Sequence, residues 1–295
     1  MQERTFLLLD RSTLLHLRLP FSFFLLPVFC FALSASASLN VPNILVVFIV
    51  LHFFIYPGSN AYNSYMDEDK SSIGGLKDPP PVTKKLFYTS MIFDALGLML
   101  CFAVNFKLFL LMLLYVLISK AYSWKKIRLK KYAITGWLTV ALFQGAYTFL
   151  MVGMCAENDF GTEWLREKNT HAMLLASLLI GASYPLTQVY QHDEDSARGD
   201  LTISYKLGIR GTFAFTAFLF AAACAEAFFY FEAGNELYIF MLCLFPAILY
   251  FLFWFAKTWR NKEFADYDHA MRMISVSSAA MILCFVILLA LRFYK

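Results

Sequence analysis

The chain has 295 residues, of which 60% are hydrophobic, 18% aromatic and only 16% charged. Charged residues make up about 25% of an ordinary soluble domain, so this composition excludes a typical soluble enzyme. The formal net charge of +4 is small and lies mostly on one predicted side of a membrane, which indicates an orientation signal rather than nucleic-acid binding.

Apolar stretches close to the roughly 20 residues that cross a bilayer recur along the whole chain. They predict nine transmembrane helices, near residues 18–36, 41–63, 87–105, 107–124, 132–153, 170–191, 212–231, 236–256 and 273–292. The predicted fold class is therefore an all-α integral membrane protein, with a single domain over residues 1–295. We interpret the first apolar run as a span, with a cleaved signal peptide as the alternative.

The basic residues are distributed unevenly between the predicted loops. Twenty of the 25 Lys and Arg residues lie at the N-terminus, in the loops that follow the even-numbered helices or in the helix end next to such a loop. Because positive charge concentrates on the cytoplasmic side of membrane proteins, the N-terminus and these loops are predicted to be cytoplasmic. We expect any chemistry on a charged substrate to open to that side.

A polar motif occurs twice, at an offset of 128 residues. Residues 56–69 read YPGSNAYNSYMDED, and residues 184–195 read YPLTQVYQHDED. Both copies follow Tyr-Pro-x-x-(Asn/Gln)-x-Tyr-(Asn/Gln) and end in an acidic cluster. Amide and carboxylate residues are scarce in a chain this apolar, so the repetition indicates a built site rather than chance.

The spacing within each copy predicts one polar helix face. Positions i, i+4, i+7 and i+11 lie on the same side of a helix. In the first copy they are Tyr56, Asn60, Asn63 and Asp67, and in the second they are Tyr184, Gln188, Gln191 and Asp195. Polar groups within spans usually face a bundle interior or a water-filled cavity, so we expect a central cavity open to the cytoplasmic side.

The two acidic clusters predict a metal site. Carboxylates that face each other repel unless a cation lies between them. The oxygen ligands are Asn63, Asp67, Asp69, Asp193, Glu194 and Asp195. This set suits Mg²⁺, which also takes phosphate oxygens and so implies a phosphorylated substrate. The alternative is that these residues are solvated helix ends.

Several further residues are predicted to contact the substrate. The cation and hydroxyl candidates for a diphosphate are Tyr122, Lys126, Lys77 and Arg198, and the amide candidates are Asn60, Gln188 and Gln191. We interpret Lys130 and Lys131 as membrane anchors. A cavity inside the bilayer with a charged mouth suits a substrate with a diphosphate head and an isoprenoid tail.

Three carboxylates are the catalytic candidates. Asp67 and Asp195 end the two polar faces, and Asp94 lies alone inside the third predicted span. An isolated carboxylate within a membrane is a functional candidate, and Asp94 is positioned to accept a proton from an acceptor or a carbocation. The alternative is a structural, hydrogen-bonded Asp.

These residues resemble the UbiA superfamily of intramembrane prenyltransferases, whose members have nine transmembrane helices and bind a prenyl diphosphate with Mg²⁺ through two aspartate-rich motifs. The first family motif, NxxxDxxxD, matches at Asn63 and Asp67 but has Ser71 in its last position. The second, DxxxD, matches at Asp195, with Gln191 in its first position. The chain is thus similar to the family but diverges in both motifs.

Two further features carry the same resemblance. The family's YxxxK motif matches at Tyr122 and Lys126, and its basic residue before a Pro-rich loop resembles Lys77. The resemblance implies a Mg²⁺-dependent enzyme of a bacterial inner membrane that transfers a prenyl group from a prenyl diphosphate to an acceptor, for which an aromatic compound is expected. No nucleic acid and no obligate protein partner are expected. A UbiA-type terpene cyclase, which needs no acceptor, and a transporter remain the alternatives.

Overall fold

The structure, a computed structural model, describes residues 10–293 and is built almost entirely of helices. The α-helices are α1 (Arg11–Leu17), α2 (Leu19–Ser22), α3 (Leu26–Ala35), α4 (Val41–Ile49), α5 (Tyr56–Asp67), α6 (Lys84–Val104), α7 (Phe106–Ser123), α8 (Ala133–Val140), α9 (Thr148–Glu157), α10 (Glu167–Ser183), α11 (His192–Arg198), α12 (Ile203–Phe231), α13 (Asn235–Arg260) and α14 (Tyr267–Arg292). The remaining elements are 3₁₀ turns at Phe23–Leu25, Leu129–Lys131, Thr162–Leu165, Tyr184–Thr187 and Lys262–Phe264, π-helical segments at Val50–Ile55 and Ala141–Tyr147, and a strand, β1 (Leu201–Thr202).

Over the described residues, eight helical segments are long and apolar enough to cross a membrane. They are Arg11–Ala35, Val41–Asp67, Lys84–Val104, Phe106–Ser123, Ala133–Glu157, Ile203–Phe231, Asn235–Arg260 and Tyr267–Arg292. The pair Glu167–Thr187 and His192–Arg198, bent by 89°, is the ninth candidate. The predicted all-α membrane fold is therefore confirmed, with nine spans when the bent pair is counted.

The first and sixth predicted spans differ in shape from the expectation. The first begins earlier, at Arg11, and is interrupted at Arg18, whose φ of 48° ends one helix and precedes the next. The sixth predicted span covers residues 170–191, but the helical turns of the structure stop at Thr187 and the chain bends before α11.

The chain divides into two compact units. Unit 1 contains residues 10–23 and 48–128, and unit 2 contains residues 24–47 and 129–293. The first copy of the repeated motif belongs to unit 1 and the second to unit 2, so each unit carries one copy.

In unit 1, the N-terminal helix holds the loop between α5 and α6. His16 is hydrogen-bonded to the Pro80 carbonyl at 2.8 Å, and the Arg18 guanidinium donates to the Gly74 carbonyl at 3.1 Å. His16 and Arg18 are both buried, so these polar contacts replace the water that the side chains lose. The loop after the first acidic cluster is thereby tied to the unit that carries it.

A π-helical segment leads into the first motif copy. Val50–Ile55 has the wider π geometry and is followed directly by Tyr56 and Pro57. Proline has no backbone N–H and its ring crowds the carbonyl four residues earlier, here that of Phe53. A local π turn relieves such crowding without ending the helix, so α5 continues the span through Asp67.

Unit 2 is packed around aromatic side chains. The Phe31 ring stacks on Phe285 with centroids 4.4 Å apart and also contacts Phe149 and Tyr230. Phe31, Phe149 and Phe285 are almost fully buried. This cluster joins α3, α9, α12 and α14, so the helices of unit 2 share one apolar core.

A short parallel bridge organises the polar end of unit 2. Residues Tyr132 and Ala133, at the start of α8, pair with Leu201 and Thr202 of β1. The pairing brings the turn Leu129–Lys131 next to the segment that follows the second acidic cluster. The bridge therefore positions a basic segment beside the second motif copy.

Candidate functional site

The first motif copy forms one continuous helix, as its spacing predicts. Helix α5 begins at Tyr56 and ends at Asp67, so Asn60, Asn63 and Asp67 follow one another along a single helical face. The Asn63 amide donates through Nδ2 to the Ser123 hydroxyl at 2.8 Å. This leaves the Asn63 amide oxygen as the atom that can accept a hydrogen bond or a metal.

Helix α7 fastens this copy with three polar contacts. The Ser119 and Ser59 hydroxyls are 2.8 Å apart, and Ser123 accepts from Asn63. Between them, the Lys120 ammonium lies 4.3 Å from the centre of the Tyr62 ring, which is a cation–π distance. The polar face of α5 is thus fixed against a neighbouring helix of the same unit.

Asp67 is buried and paired with an arginine that sequence reasoning missed. Its Oδ1 accepts from Arg128 Nη2 at 3.1 Å, and 9% of Asp67 is exposed. Asp67 is the last residue of α5, where the partial negative charge of the helix end disfavours a carboxylate. The guanidinium of Arg128 offsets that charge.

The next acidic residue is exposed and behaves differently. Glu68, in the left-handed region with a φ of 54°, caps the helix and pairs with Lys125 at 2.8 Å. The Lys125 hydrogen bond holds the pKa of the Glu68 carboxyl below its usual range. Both side chains are more than half exposed, so solvent screens this pair.

The structure places the other predicted residues of unit 1 at several different points. Asn60 donates to the Leu17 carbonyl at 3.4 Å, so its amide contacts the N-terminal helix. Asp69 is buried, with 4% of the residue exposed. Lys77 is exposed in the loop, where its carbonyl accepts from Ser72. Of these three, only Asp69 is a buried charged group beside the acidic cluster.

The spacing of Tyr122 and Lys126 predicts that they lie one helical turn apart, but the structure does not place them so. Helix α7 ends at Ser123, so Tyr122 lies in its last turn while Lys126 is exposed in the turn that follows. The Lys126 ammonium lies 5.7 Å from the centre of the Trp124 ring. Helix α7 ends at Ser123 because the backbone becomes extended at Trp124. Lys126 therefore does not continue the helical face on which Tyr122 lies.

Asp94 has a partner that the sequence did not reveal. Its Oδ2 lies 2.6 Å from Lys120 Nζ, and the same ammonium donates to Ser90 at 2.8 Å. Asp94 is therefore not the isolated carboxylate that sequence reasoning assumed, but half of a buried ion pair between α6 and α7. Its predicted role as a proton acceptor remains a prediction.

The second motif copy corrects the predicted helical face. After the 3₁₀ turn Tyr184–Thr187 the chain leaves helical geometry, and α11 begins at His192 on a different axis. Gln188 and Gln191 therefore do not share one straight helical face with Asp195. Thr187 donates to the Tyr184 carbonyl at 2.7 Å, a local contact that competes with continued helix.

Gln188 is a buried amide at the bend. Its Nε2 donates to the Tyr184 hydroxyl at 2.9 Å, and 6% of the residue is exposed. Within the described part of the chain, its Oε1 accepts no hydrogen bond. A buried acceptor of this kind is costly unless a ligand or water supplies the donor.

Asp195 is the buried carboxylate of the second acidic cluster. Its Oδ1 accepts from Arg198 Nη2 at 3.1 Å, and Arg198 also donates to Glu194 at 2.9 Å. Asp193 is exposed on the same short helix. Arg198, predicted to bind a diphosphate, is thus engaged with carboxylates of its own helix, because it follows them by three and four residues.

Lys130 corrects another expectation. The sequence places it among the membrane anchors, but only 8% of Lys130 is exposed. The parallel bridge between Tyr132 and Leu201 holds the Leu129–Lys131 turn beside the chain that follows Asp195, which buries the side chain. Lys130 is therefore a buried charged residue beside the second copy and not a freely solvated anchor.

The oxygen atoms of the two motifs fit a Mg²⁺ ion that is held partly by the protein and partly by a substrate. Over residues 10–293, neither unit gathers three or more His, Cys, Asp or Glu side chains into a metal site. Mg²⁺ is usually held by one or two carboxylates, water and phosphate oxygens, and not by a closed protein cage. Asn63 and Asp67 in unit 1 and Asp195 in unit 2 supply oxygen ligands of that kind.

Sequence reasoning missed three residues of the site: Lys120, Ser123 and Arg128. All three lie in or just after α7, and each contacts the first copy from about 60 positions further along the chain. The positive charges of Lys120 and Arg128 are also explained by the orientation rule. The signal available in the sequence is the set of polar residues in the last turns of the apolar helix α7, namely Ser119, Lys120 and Ser123.

Comparison with known proteins shows a family match over most of the chain. The UbiA prenyltransferase family matches residues 24–277. No match was found among curated protein sequences.

Similar solved structures cover nearly the whole chain. A UbiA homologue from Archaeoglobus fulgidus bound to GPP and Mg²⁺ is 19% identical, with 95% of this chain and 99% of that chain covered and a TM-score of 0.69. The apo structure of a UbiA homologue from Aeropyrum pernix K1 is 17% identical, covers 95% and 98%, and has a TM-score of 0.66. A digeranylgeranylglyceryl phosphate synthase is 17% identical, covers 94% and 97%, and has a TM-score of 0.61.

Proposed function

The chain belongs to the UbiA prenyltransferase family, and from that premise we propose that it is a Mg²⁺-dependent intramembrane enzyme that ionises a prenyl diphosphate and transfers the prenyl group to an acceptor. An aromatic acceptor is proposed, because an electron-rich ring attacks an allylic cation readily. The observation that carries the proposal is the repeated motif, which supplies a buried, arginine-paired aspartate in each unit of a very apolar chain.

The family and the solved relatives support the substrate class. A relative from Archaeoglobus fulgidus was solved with GPP and Mg²⁺, and again with DMAPP and Mg²⁺. The chain keeps Asn63, Asp67 and Asp195 of the family's two motifs, but has Ser71 and Gln191 in place of two motif aspartates. Use of Mg²⁺ with fewer carboxylates follows if the substrate supplies more of the ligand oxygens.

In unit 1, Asn63 and Asp67 would hold Mg²⁺, and in unit 2 Asp195 would do so. The buried Asp69 and the neighbouring Asp193 and Glu194 are the further proposed ligands. When bound, Mg²⁺ supplies positive charge that neutralises the diphosphate oxygens as they leave.

The chain's own residues would bind and orient the diphosphate. In the proposed reaction the bond between prenyl C1 and the diphosphate oxygen breaks, and its electron pair leaves with the diphosphate. Tyr122, Lys126, Lys77 and Arg198 are the proposed hydrogen-bond donors to that leaving group. The amides of Asn60, Gln191 and the buried Gln188 are proposed to orient the substrate near the motifs.

The bond that forms joins prenyl C1 to a carbon of the acceptor, which then loses a proton. Asp94 is the proposed proton acceptor of this chain, with Lys120 holding its carboxylate in place at 2.6 Å. Because the ion pair is buried between two helices, proton transfer there would need a path from the acceptor.

The protein is an integral membrane protein, and its orientation is part of the proposal. The excess of Lys and Arg in the N-terminal segment and the even-numbered loops supports a cytoplasmic location for them, in a bacterial inner membrane. The family match over residues 24–277 spans parts of both units, which supports one functional domain. A lipid bilayer is the proposed surrounding, and the proposal includes no obligate protein partner.

Product analysis tests the function directly. Purified protein in detergent is incubated with Mg²⁺ and a panel of prenyl diphosphates of increasing length, with and without aromatic acceptors. Diphosphate release and the organic products are measured, with a parallel EDTA arm. A prenylated acceptor that forms only with Mg²⁺ supports the transferase.

Other products identify the alternatives. A hydrocarbon or terpene alcohol formed at the same rate without acceptor would make the protein a cyclase that ionises the same donor. Binding of prenyl diphosphate with no turnover under any condition would contradict an enzyme and favour transport.

A further inference from the structure

The same charge arrangement occurs at the motif aspartate of each unit. In unit 1, Arg128 donates to Asp67 at 3.1 Å, and in unit 2, Arg198 donates to Asp195 at 3.1 Å. Neither arginine belongs to the aspartate motif that it serves, and all four side chains are largely buried. Each motif aspartate therefore already has a cation bound to it.

Arg128 adopts an unfavourable backbone conformation to make its contact. Its φ is 48°, in the left-handed region that residues with a side chain rarely enter. Its backbone N–H bonds to the Trp124 carbonyl at 2.8 Å, which closes the turn after α7. Strain of this kind persists where the surrounding structure holds it, and the buried pair with Asp67 is the contact at the end of that turn.

A buried carboxylate needs a counter-charge at all times, and most of all at a helix C-terminus, where Asp67 lies. Two cations cannot occupy the same carboxylate without repelling each other. A Mg²⁺ ion that arrives alone must therefore compete with Arg128 for Asp67, and with Arg198 for Asp195. A diphosphate changes this balance, because guanidinium groups bind phosphate oxygens as well as they bind carboxylates.

We infer that Arg128 and Arg198 are resident counter-cations of the motif aspartates, which turn to the diphosphate when the substrate arrives. Mg²⁺ and the diphosphate then bind together, and Mg²⁺ alone binds weakly. This inference rests on the proposed function and deepens it. It assigns Arg128 as a positioning residue that sets when the metal site becomes available.

The chain offers a matched control in the same turn. Lys125 lies three residues before Arg128 and also pairs with a carboxylate, that of Glu68, at 2.8 Å. Lys125 and Glu68 are 59% and 67% exposed at their side chains, whereas Arg128 and Asp67 are 12% and 4% exposed. Replacing either Lys125 or Arg128 by Gln removes one positive charge, so the two variants differ in the burial of the pair that is broken.

Binding is measured by calorimetry and by the thermal unfolding midpoint in detergent, with no turnover required. Wild type, Arg128→Gln, Arg198→Gln and Lys125→Gln are each titrated with Mg²⁺, with and without inorganic pyrophosphate as the probe. We expect pyrophosphate to tighten Mg²⁺ binding to wild type by about tenfold or more. In Arg128→Gln, Mg²⁺ alone should bind about tenfold more tightly than to wild type, and the gain from pyrophosphate should shrink.

Lys125→Gln should behave as wild type in every titration, and Arg198→Gln should change in the same direction as Arg128→Gln. Arg128→Lys, which keeps a positive charge but has no planar fork, should bind Mg²⁺ alone as weakly as wild type and gain less from pyrophosphate. This variant keeps the test usable if Arg128→Gln does not fold.

The inference is overturned if Mg²⁺ alone binds wild type as tightly as it binds Arg128→Gln, or if Lys125→Gln shows the same gain. If wild type meanwhile converts prenyl diphosphates to products, only the inference fails and the proposed function stands. If no protein binds Mg²⁺ even with pyrophosphate, the metal requirement of the proposed function fails first and the inference with it.

Discussion

The two copies of the repeated motif share their residue types but differ in backbone. The first copy runs as one helix from Tyr56 to Asp67, whereas the second breaks between Thr187 and His192 and turns by 89°. As a result Asp67 ends a helix, while Asp195 lies in the first turn of one. The same acid therefore stands at opposite ends of a helix in the two units.

The two copies also differ in the residues between the shared positions. Gly58 and Ala61 in the first copy allow close helix packing, and a Cβ on Gly58 would lie 3.1 Å from Asp94 Oδ1. The second copy has β-branched Thr187 and Val189 where the first has Ser59 and Ala61, and the β-branched residues favour helix less. Three acids in the first turn then favour a new helix N-terminus. A shared motif thus fixes chemistry more strongly than it fixes backbone.

The largest effect should come from removing either motif aspartate. Asp67→Ala or Asp195→Ala should reduce diphosphate release by about 100-fold or more, because each removes a proposed metal ligand. Release is measured in detergent, with circular dichroism to check folding. Glu68→Gln, which changes the exposed neighbouring carboxylate, is the control and should stay near wild type. Full activity in both alanine variants would contradict the metal assignment.

Helix α7 contacts the first copy through Ser119, Lys120 and Ser123, so a change in α7 should affect the first copy more than the second. Lys120→Met leaves Asp94 buried without its partner and should cost about 3–5 kcal/mol of unfolding free energy. Gln188→Leu, at the bend of the second copy, removes a neutral hydrogen bond and should cost about 1 kcal/mol.

The double variant Asp94→Asn/Lys120→Met should recover most of the thermal unfolding midpoint, since it leaves no unpaired charge. If the double variant is no more stable than Lys120→Met, the ion pair is not the source of the loss.

The two arginines should differ because their aspartates lie at opposite helix ends. In EDTA, Arg128→Gln should cost about 3 kcal/mol, since it leaves Asp67 unpaired at a helix C-terminus. Arg198→Gln should cost about 2 kcal/mol, because the N-terminal turn of α11 still favours Asp195. Thermal unfolding of both variants under the same conditions checks the order, and a larger loss in Arg198→Gln would contradict the helix-end argument.

An effect as small as that of Gln188→Leu should come from the small residue that keeps the first copy packed. Gly58→Ala places a methyl group 3.1 Å from Asp94 Oδ1 and 3.2 Å from Phe93 Cβ, so α5 must shift slightly from α6. We expect a loss of about 1 kcal/mol, measured by thermal unfolding. An unchanged midpoint would show that the two helices separate at no cost.

Much of the fold could be predicted because it depends on local composition. Span length and apolarity are properties of each segment alone, and they gave nine spans that agree with the structure when the bent pair is counted. The bend itself could not be predicted from the motif, because Tyr-Pro begins both copies. It depends on how Thr187 and Gln188 bond back to Tyr184, which the spacing does not show.

The charged contacts of the site were harder to predict than its acids. A repeat identified Asp67 and Asp195, but Arg128 is 61 positions from Asp67 and lies in a basic run that also satisfies the orientation rule. The pairing of Lys120 with Asp94 could not be predicted either, because the two residues lie on different helices and the charge of Lys120 also satisfies the orientation rule. One charge can serve both roles, and only three-dimensional packing separates them.

The π-helical turn at Val50–Ile55 sets the rotational phase of the first copy. A π turn accommodates one extra residue, and one residue corresponds to about 100° around an α-helix. A helical wheel drawn straight through 41–67 therefore accumulates an error of that size at Tyr56. Drawn from the upstream half, such a wheel rotates Asn63 and Asp67 away from their true direction, so the amphipathic pattern of this span has to be analysed separately on each side of the turn.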